Sequence, residues 1–211
     1  GYPGCSGLAE AIAKGNAPVN GCPVGGRDVA ERVAAIMGQD AGEIKRMVAY
    51  VKCAGTCDKT VRNYDYSGIK DCVMAKSVPG GGEKACDYGC LGYGNCARAC
   101  EHGGIDIVDG VAVVNKEMCK SCGACIKACP NNLIELIPYD ASVVVKCSSK
   151  DKGPQVMKVC STGCIGCGIC VKNCPQNAIT VENFVANIDQ DKCIGCGICM
   201  EKCPKKVIVN A

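Results

Sequence analysis

One cysteine spacing recurs along this chain and constrains its fold more than any other feature. The spacing C-x2-C-x2-C-x3-C, with proline next, occurs three times. The runs are Cys119, Cys122, Cys125, Cys129; Cys164, Cys167, Cys170, Cys174; and Cys193, Cys196, Cys199, Cys203. In bacterial ferredoxins this run supplies thiolates to cubane clusters. The sequence therefore predicts several [4Fe-4S] clusters.

Two other classes of cysteine-rich protein compete with this interpretation. Disulfide frameworks rarely repeat such tight triplets, and zinc sites usually separate two C-x2-C pairs by a dozen or more residues. The 211 residues include 23 Cys, one Phe and no Trp. Few aromatic residues make one large core improbable and favour small units organised around metal. A structural zinc or disulfide protein would be colourless, whereas cubanes give brown protein.

The chain repeats itself with an offset of 74 residues. The offset superimposes Cys86, Cys90, Cys96 and Cys100 on Cys160, Cys164, Cys170 and Cys174. Hairpin-like runs at 105–115 and 179–189 separate the ligand runs, and short strand candidates follow. We expect an α+β fold of tandem two-cluster bacterial ferredoxin-like modules, at 80–140 and 141–211.

Two segments precede the modules. Residues 1–38 read as a separate helical piece, with helices predicted over 5–15 and 25–38. Residues 39–79 read as a strand and a cysteine-containing insert or linker. A strand-like run ends at Cys53 before the first module, and a similar one ends at Cys147 near the start of the second.

In two-cluster ferredoxins the fourth cysteine of each run binds the cluster of the other run. This rule gives three complete predicted ligand sets. They are Cys164, Cys167, Cys170 with Cys203; Cys193, Cys196, Cys199 with Cys174; and Cys119, Cys122, Cys125 with Cys100.

The fourth set lacks one thiolate, because Tyr93 stands where the second module has Cys167. Cys90, Cys96 and Cys129 are left one ligand short. Cys86 is the nearest replacement and is slightly favoured, with Cys57 or Cys72 as the alternative. The repeat matches Cys86 to Cys160, which suggests another role for that pair together with Cys53 and Cys147.

The remaining cysteines leave two alternatives open. Some of them are free buried thiols, or they supply a further cluster. They are Cys53, Cys57, Cys72, Cys147 and Cys160.

Other functional signals are absent from the sequence. No glycine-rich loop has the spacing of a dinucleotide or phosphate site, so we expect no bound nicotinamide or flavin and no independent catalytic site. Nucleic acid is not an expected partner. No signal peptide or apolar run of membrane-spanning length occurs, and thiolate clusters fit the reducing cytoplasm.

Three stretches resemble one family: residues 1–26 (GYPGCSGLAEAIAKGNAPVNGCPVGG), 84–100 (KACDYGCLGYGNCARAC) and 160–179 (CSTGCIGCGICVKNCPQNAI). The chain is similar to the B subunit of the Rnf complex, a membrane-bound ferredoxin:NAD+ oxidoreductase, in its clostridial and acetogen form. It departs from the family pattern at Glu101 and His102. The resemblance implies an electron-relay subunit of a Na+ or H+ pumping complex, with ferredoxin and the other subunits as partners.

The resemblance also implies a location and an N-terminal site. The protein would lie on the cytoplasmic face of the cell membrane, where an N-terminal membrane helix, expected to precede this chain, or partner subunits make the membrane contact. A small helical domain would bind a cluster through C-x2-C-x4-C-x16-C. Cys5 and Cys22 match its last two cysteines, so we expect two more before Gly1. The alternative function is a free cytoplasmic polyferredoxin that serves a soluble oxidoreductase.

Overall fold

The fold is known from a computed structural model, which describes residues 2–43 and 45–211. The helices are α1 (Gly4–Ala13), α2 (Gly26–Met37), α3 (Cys72–Lys76), α4 (Asn95–Arg98), α5 (Ala124–Ala128), α6 (Gly153–Val159), α7 (Ile169–Lys172) and α8 (Ile198–Lys202). The strands are β1 (Met47–Val51), β2 (Ile105–Val108), β3 (Val111–Val114), β4 (Ile134–Pro138), β5 (Val143–Val145), β6 (Ile179–Glu182), β7 (Val185–Ile188) and β8 (Ile208–Asn210). A 3-10 turn spans Pro79–Gly81. Short helices thus occur together with short antiparallel strand pairs, which confirms the α+β prediction.

The strands form four antiparallel pairs. Two pairs are the predicted hairpins, β2 with β3 and β6 with β7. Asp109 and Gly110 form the first turn with φ of 48° and 76°. Positive φ at both central residues matches the type I′ turn, whose twist suits a two-residue hairpin. Asn183 and Phe184 occupy the equivalent turn, also with positive φ.

In each of the other two pairs, the last strand of a module pairs with a strand that lies before the first ligand loop of that module. β1 pairs with β4, from Met47 opposite Pro138 to Val51 opposite Ile134. β5 pairs with β8 in the same way. β1 lies within 39–79, where the sequence predicts a strand and a cysteine-containing insert or linker, and its hydrogen bonds join it to the first module.

Alternate residues of β1 contribute to two different cores. Ala49 and Val51 pack in the core of the first module, whereas Val48 and Tyr50 pack with Val144 of β5. Side chains of a strand alternate between its faces, so one strand contacts both modules. Most of the remaining core is apolar residues mixed with buried cysteines.

The N-terminal helices form a small core of their own. Ile12, Val19 and Ala34 are buried together between α1 and α2. Gly38 ends α2 in the left-handed conformation, which is a common helix C-terminus. Both predicted helices are therefore present. In the described ranges no helix is both long and apolar enough to cross a membrane.

Replacing Val48 should destabilise the junction between the modules. Val48 is fully buried, so Val48→Ala removes two methyl groups from a close-packed site and should lower the free energy of unfolding by about 2 kcal/mol. Val113 on β3 is exposed, and Val113→Ala should change stability by less than about 0.5 kcal/mol. Urea unfolding of the cluster-loaded protein without oxygen measures both. Equal effects of the two substitutions would contradict the packing described for β1.

Candidate metal centres

Twenty cysteines line five separate cavities, four to each. Site A is Cys72, Cys90, Cys96, Cys129; site B is Cys100, Cys119, Cys122, Cys125; site C is Cys53, Cys86, Cys147, Cys160. Site D is Cys164, Cys167, Cys170, Cys203, and site E is Cys174, Cys193, Cys196, Cys199. Four thiols per cavity is the number that a [4Fe-4S] cluster takes.

Sites B, D and E have the composition that the crossed-ligand rule predicts. In each, three cysteines come from one run and the fourth from the run of the partner loop. Two short helices bring the loops together, since α4 packs on α5 and α7 packs on α8. The structure thus brings together the four cysteines of each of the three complete sets.

The ligand loops share one backbone pattern. Each has residues of positive φ two and four places after its first cysteine: Gly92 and Gly94, Ser121 and Gly123, Gly166 and Gly168, Gly195 and Gly197. At Gly92 a β-carbon would lie 2.6 Å from the carbonyl oxygen of Gly110, so glycine is required there. Ser121 adopts this conformation without being glycine, and its hydroxyl donates a hydrogen bond to the carbonyl of Met47. The positive φ angles at these two positions curl each loop around its cavity.

Cys72 is the fourth cysteine that lines site A, beside Cys90, Cys96 and Cys129. Cys86, the slightly favoured replacement, lines site C instead. Cys72 is the first residue of α3, inside the insert, and its backbone N–H donates to the Asn95 side chain at 2.8 Å. Asp71 caps α3 by accepting from the N–H groups of Val73 and Met74. A cysteine from outside the repeat thus gives site A its fourth thiol.

The insert also shields site A from solvent. The second cysteine of each complete run is exposed; these are Cys122, Cys167 and Cys196. At the matching position the Tyr93 ring packs against Tyr66 with 5.6 Å between centroids, and Lys70 lies 5.1 Å from the Tyr93 centroid. Cys72 itself is buried. Since exposure affects cluster potentials, site A offers an environment different from that of site D.

Site C joins the two modules. Cys53 and Cys86 come from the first half of the chain, and their counterparts Cys147 and Cys160 come from the second. Strand segments of the two halves also meet there, since Thr60 forms a backbone bridge with Cys160. These four cysteines are those for which the sequence suggests a shared role. The structure brings them together in one buried cavity.

Backbone N–H groups donate to cysteine sulfurs at several sites. The Cys53 sulfur accepts from the N–H groups of Gly55 and Cys90, both at 3.4 Å. The Cys147 sulfur accepts from Ser149 at 3.5 Å and from Cys164 at 3.3 Å. Donors to sulfur stabilise the anionic thiolate and influence the potential of a bound cluster. The two halves therefore supply matching electrostatics to site C.

Burial raises the pKa of many of these thiols in the cluster-free chain. Desolvation raises the pKa of Cys86 and of Cys96 to about 12. It raises the pKa of Cys125, Cys147 and Cys170 to about 11. Such thiols are protonated at neutral pH, so iron must displace protons when it binds.

The donor set fits a cubane. Across residues 2–43 and 45–211, no three His, Cys, Asp or Glu side chains gather closely enough for a single metal ion. A cubane takes one thiolate on each of its four irons, so its ligands surround a larger object than one ion. The chemistry of each cavity is four sulfurs in an apolar wall. At site B the lining also includes His102, where the chain departs from the family pattern.

Three cysteines lie outside the five sites. Cys57 is exposed, and its sulfur accepts a hydrogen bond from Arg62 at 3.4 Å. Cys5 lies in the first turn of α1 and is exposed. Cys22 accepts from the N–H of Gly25 at 3.3 Å, and its neighbour Gly21 lies against Leu8, one turn after Cys5. The expected ligands before Gly1 lie outside the described residues.

Family models match three parts of the chain. A 4Fe-4S dicluster domain matches residues 163–207 and a 4Fe-4S binding domain matches residues 112–135. A putative Fe-S cluster family matches residues 1–24, which include Cys5 and Cys22. The matches thus fall on the second module, part of the first module and the N-terminal helical piece.

Curated relatives match nearly the whole chain. The B subunit of the Na(+)-translocating ferredoxin:NAD(+) oxidoreductase complex of Acetobacterium woodii is 48% identical over 91% of this chain and 58% of its own length. The B subunit of the ion-translocating oxidoreductase complex of Methanosarcina acetivorans is 46% identical over 91% of the chain and 73% of its own. The B subunit of the proton-translocating ferredoxin:NAD(+) oxidoreductase complex of Clostridium ljungdahlii is 44% identical over 90% of the chain and 67% of its own. The chain therefore spans little more than half of the Acetobacterium protein.

Removing Cys72 should empty site A alone. Cys72→Ala deletes one of four thiolates, and a cubane held by three protein ligands is expected to be lost or incomplete. Iron and acid-labile sulfide should each fall by up to about four atoms per chain. Cys57→Ala is the matched control, because Cys57 also lies in the insert but lines none of the five cavities. Iron loss in the control alone would refute the assignment of Cys72.

Iron retention should fall on acidification. Thiols with a raised pKa hold their protons throughout the range below that pKa, so protons compete with iron more strongly as the pH falls. Lowering the pH from about 8 to about 6 should increase the iron lost to a fixed concentration of chelator. The Cys57→Ala protein should show the same dependence, since this thiol is outside the sites. Retention that is constant or rises on acidification would be inconsistent with protonated free thiols.

Proposed function

We propose, since the chain belongs to the family of B subunits of the ion-translocating (Rnf-type) oxidoreductase complexes, that it relays single electrons through a series of [4Fe-4S] clusters. The observation that carries this proposal is the grouping of twenty cysteines into five four-thiol cavities. When bound, each cluster supplies reversible one-electron chemistry. The protein's own residues hold, space and insulate the clusters.

Within each module the two sites are close because they share short segments. Site A takes Cys96 and site B takes Cys100, four residues further along and just after α4. Site B also takes Cys125 on α5, and site A takes Cys129, which directly follows that helix. The second module repeats this arrangement at sites D and E. Each module therefore forms a pair of adjacent cluster sites.

Hydrogen bonds connect the central site to both modules. The N–H of Cys90, a site A residue, donates to the sulfur of Cys53 at site C. The N–H of Cys164, a site D residue, donates to the sulfur of Cys147 at site C. On each side of site C, a single N–H···S hydrogen bond thus links a cysteine of site C to a cysteine of the neighbouring site. We infer the order B, A, C, D, E for electron transfer, with site C as the link between modules.

The partners follow from the family. We propose that reduced ferredoxin exchanges electrons with this chain and that other subunits carry the nicotinamide chemistry and ion translocation. We also propose that the chain works at the cytoplasmic face of the membrane, with Cys5 and Cys22 as two ligands of an N-terminal cluster. Co-purification with the membrane subunits separates this assignment from a free polyferredoxin, which would be recovered alone.

Loss of site C should separate the modules electronically. Cys147→Ala removes a site C thiolate, so iron should fall by up to about four atoms per chain. Clusters at sites A, B, D and E keep all their ligands. Mixing with less than one equivalent of reductant, followed by freeze-quench EPR, should show electrons spreading between modules much more slowly than in the unmodified protein.

Cys57→Ala provides the control for this experiment, because it also removes one thiol but touches no site. It should retain full iron and fast equilibration. Equal iron in the Cys147→Ala and unmodified proteins would contradict a cluster at site C. Loss of the site C iron with unchanged equilibration would instead contradict the proposed order.

A further inference from the structure

A lysine is buried between two of the cluster sites. Lys84 is 2% exposed, and it is the one charged residue buried in the described part of the chain. Its Nζ donates to the carbonyl of Gly55 at 2.9 Å and to that of Gly110 at 2.7 Å. Burying a charge is costly unless hydrogen bonds and an opposite charge compensate for it. The two carbonyls provide hydrogen bonds but no negative charge.

The surroundings of the Lys84 ammonium belong to sites A and C. Gly55, one of its acceptors, donates its own N–H to the Cys53 sulfur of site C. Cys86 of site C follows Lys84 by two residues. Gly110, the other acceptor, forms the hairpin turn whose strand β3 contributes Ala112 to the lining of site A. The ammonium thus contacts backbone that borders both cavities.

Lys84 also lies close to Cys90, a site A cysteine. Burial raises the pKa of the Cys90 thiol, and the positive charge of Lys84 opposes that increase. Among residues 2–43 and 45–211, the ion pairs formed by carboxylates do not include Lys84. Lys84 therefore has no carboxylate within salt-bridge distance among the described residues, whereas thiols lie around it: Cys57 beside Gly110, and the cysteines of the two sites that its acceptors border.

The second half of the chain has no such buried charge. The 74-residue offset places Lys84 on Lys158, which lies in α6 and is exposed. Water screens an exposed charge, whereas a buried charge acts through a medium of lower effective dielectric constant. The two halves therefore have the same residue at the matching position, with different electrostatic consequences.

We propose that Lys84 is a positioned charge that raises the reduction potentials of the clusters at sites A and C relative to the matching cluster at site D. The inference rests on the proposed function, because it requires clusters at these sites. One-electron reduction adds a negative charge to a cluster, and a nearby desolvated cation stabilises the reduced form. The effect requires no change in the protonation of Lys84.

This arrangement gives the series of clusters an asymmetry that its repeated sequence lacks. Electrons would reside preferentially at sites A and C, next to the buried cation. The insert that covers site A is a second difference between the halves. A substitution of Lys84 removes the charge but leaves the cysteines and this cover in place.

The test is an EPR-monitored redox titration of the full cluster-loaded chain. Lys84→Gln removes the charge and keeps an N–H donor, and Lys84→Met removes both while keeping a similar length. Lys158→Gln is the matched control, since it removes the same charge at the repeat-equivalent, exposed position. The signals of sites A and C are identified as those lost in the Cys72→Ala and Cys147→Ala proteins.

Lys84→Gln should retain its iron and should shift the midpoints of sites A and C to more negative potential. The shift should persist at high salt, because salt screens buried charges poorly. Lys158→Gln should leave all midpoints unchanged. Unchanged midpoints in an iron-replete Lys84 variant would overturn the proposal, as would an equal shift in the control.

Loss of iron from both Lys84 variants would also overturn the proposal, by showing that the lysine only holds the backbone together. Failure of the proposed function has a separate signature. In that case the unmodified chain itself would contain neither iron nor acid-labile sulfide after anaerobic purification and reconstitution.

Discussion

Four sulfurs from separate segments must meet at each cavity, and the rest of the structure depends on that requirement. The chain has one Phe and no Trp, so cysteines occupy much of the interior that aromatic side chains would fill elsewhere. Thiols in these positions have a raised pKa because they are desolvated. Iron binds the deprotonated form of these thiols, and cluster insertion is therefore coupled to folding. Helices of four or five residues suffice because the clusters would hold them in place.

Duplication explains the symmetry of the molecule, and local replacements explain its asymmetry. Cys53 and Cys147 follow equivalent strands, and their sulfurs accept hydrogen bonds from equivalent N–H groups at site C. At site A, however, Tyr93 replaces the exposed cysteine, and Cys72 enters from an insert that the second half lacks. The result is one site with three buried cysteines and a half-buried Cys129, beside three sites with an exposed cysteine. Asp71 supports this substitution by capping α3 and accepting from Asn95.

Spacing predicted the sites whose ligands are close in sequence. Sites B, D and E follow from a short motif and one crossover rule, so their cysteines could be grouped without coordinates. Cys72 could not be assigned, because it lies outside the repeat and no spacing relates it to Cys90. Nearness in sequence instead favoured Cys86, only four residues from Cys90, but its sulfur faces the other module at site C. The buried state of Lys84 was equally hidden, because Lys158 matches it in sequence and is exposed.

Exposure separates the three sites that present a cysteine to solvent from sites A and C, which have no exposed cysteine. Sites B, D and E each present a cysteine to solvent, whereas three cysteines of site C are buried and Cys86 is half-buried. Electron exchange with another protein requires close approach to a cluster, so the exposed cysteines of sites B, D and E suit that role. Site C is enclosed by both modules and borders sites A and D through single peptide units. The position of site C therefore suits electron transfer within the chain. The pairing of β1 with the first module keeps site C between the two modules.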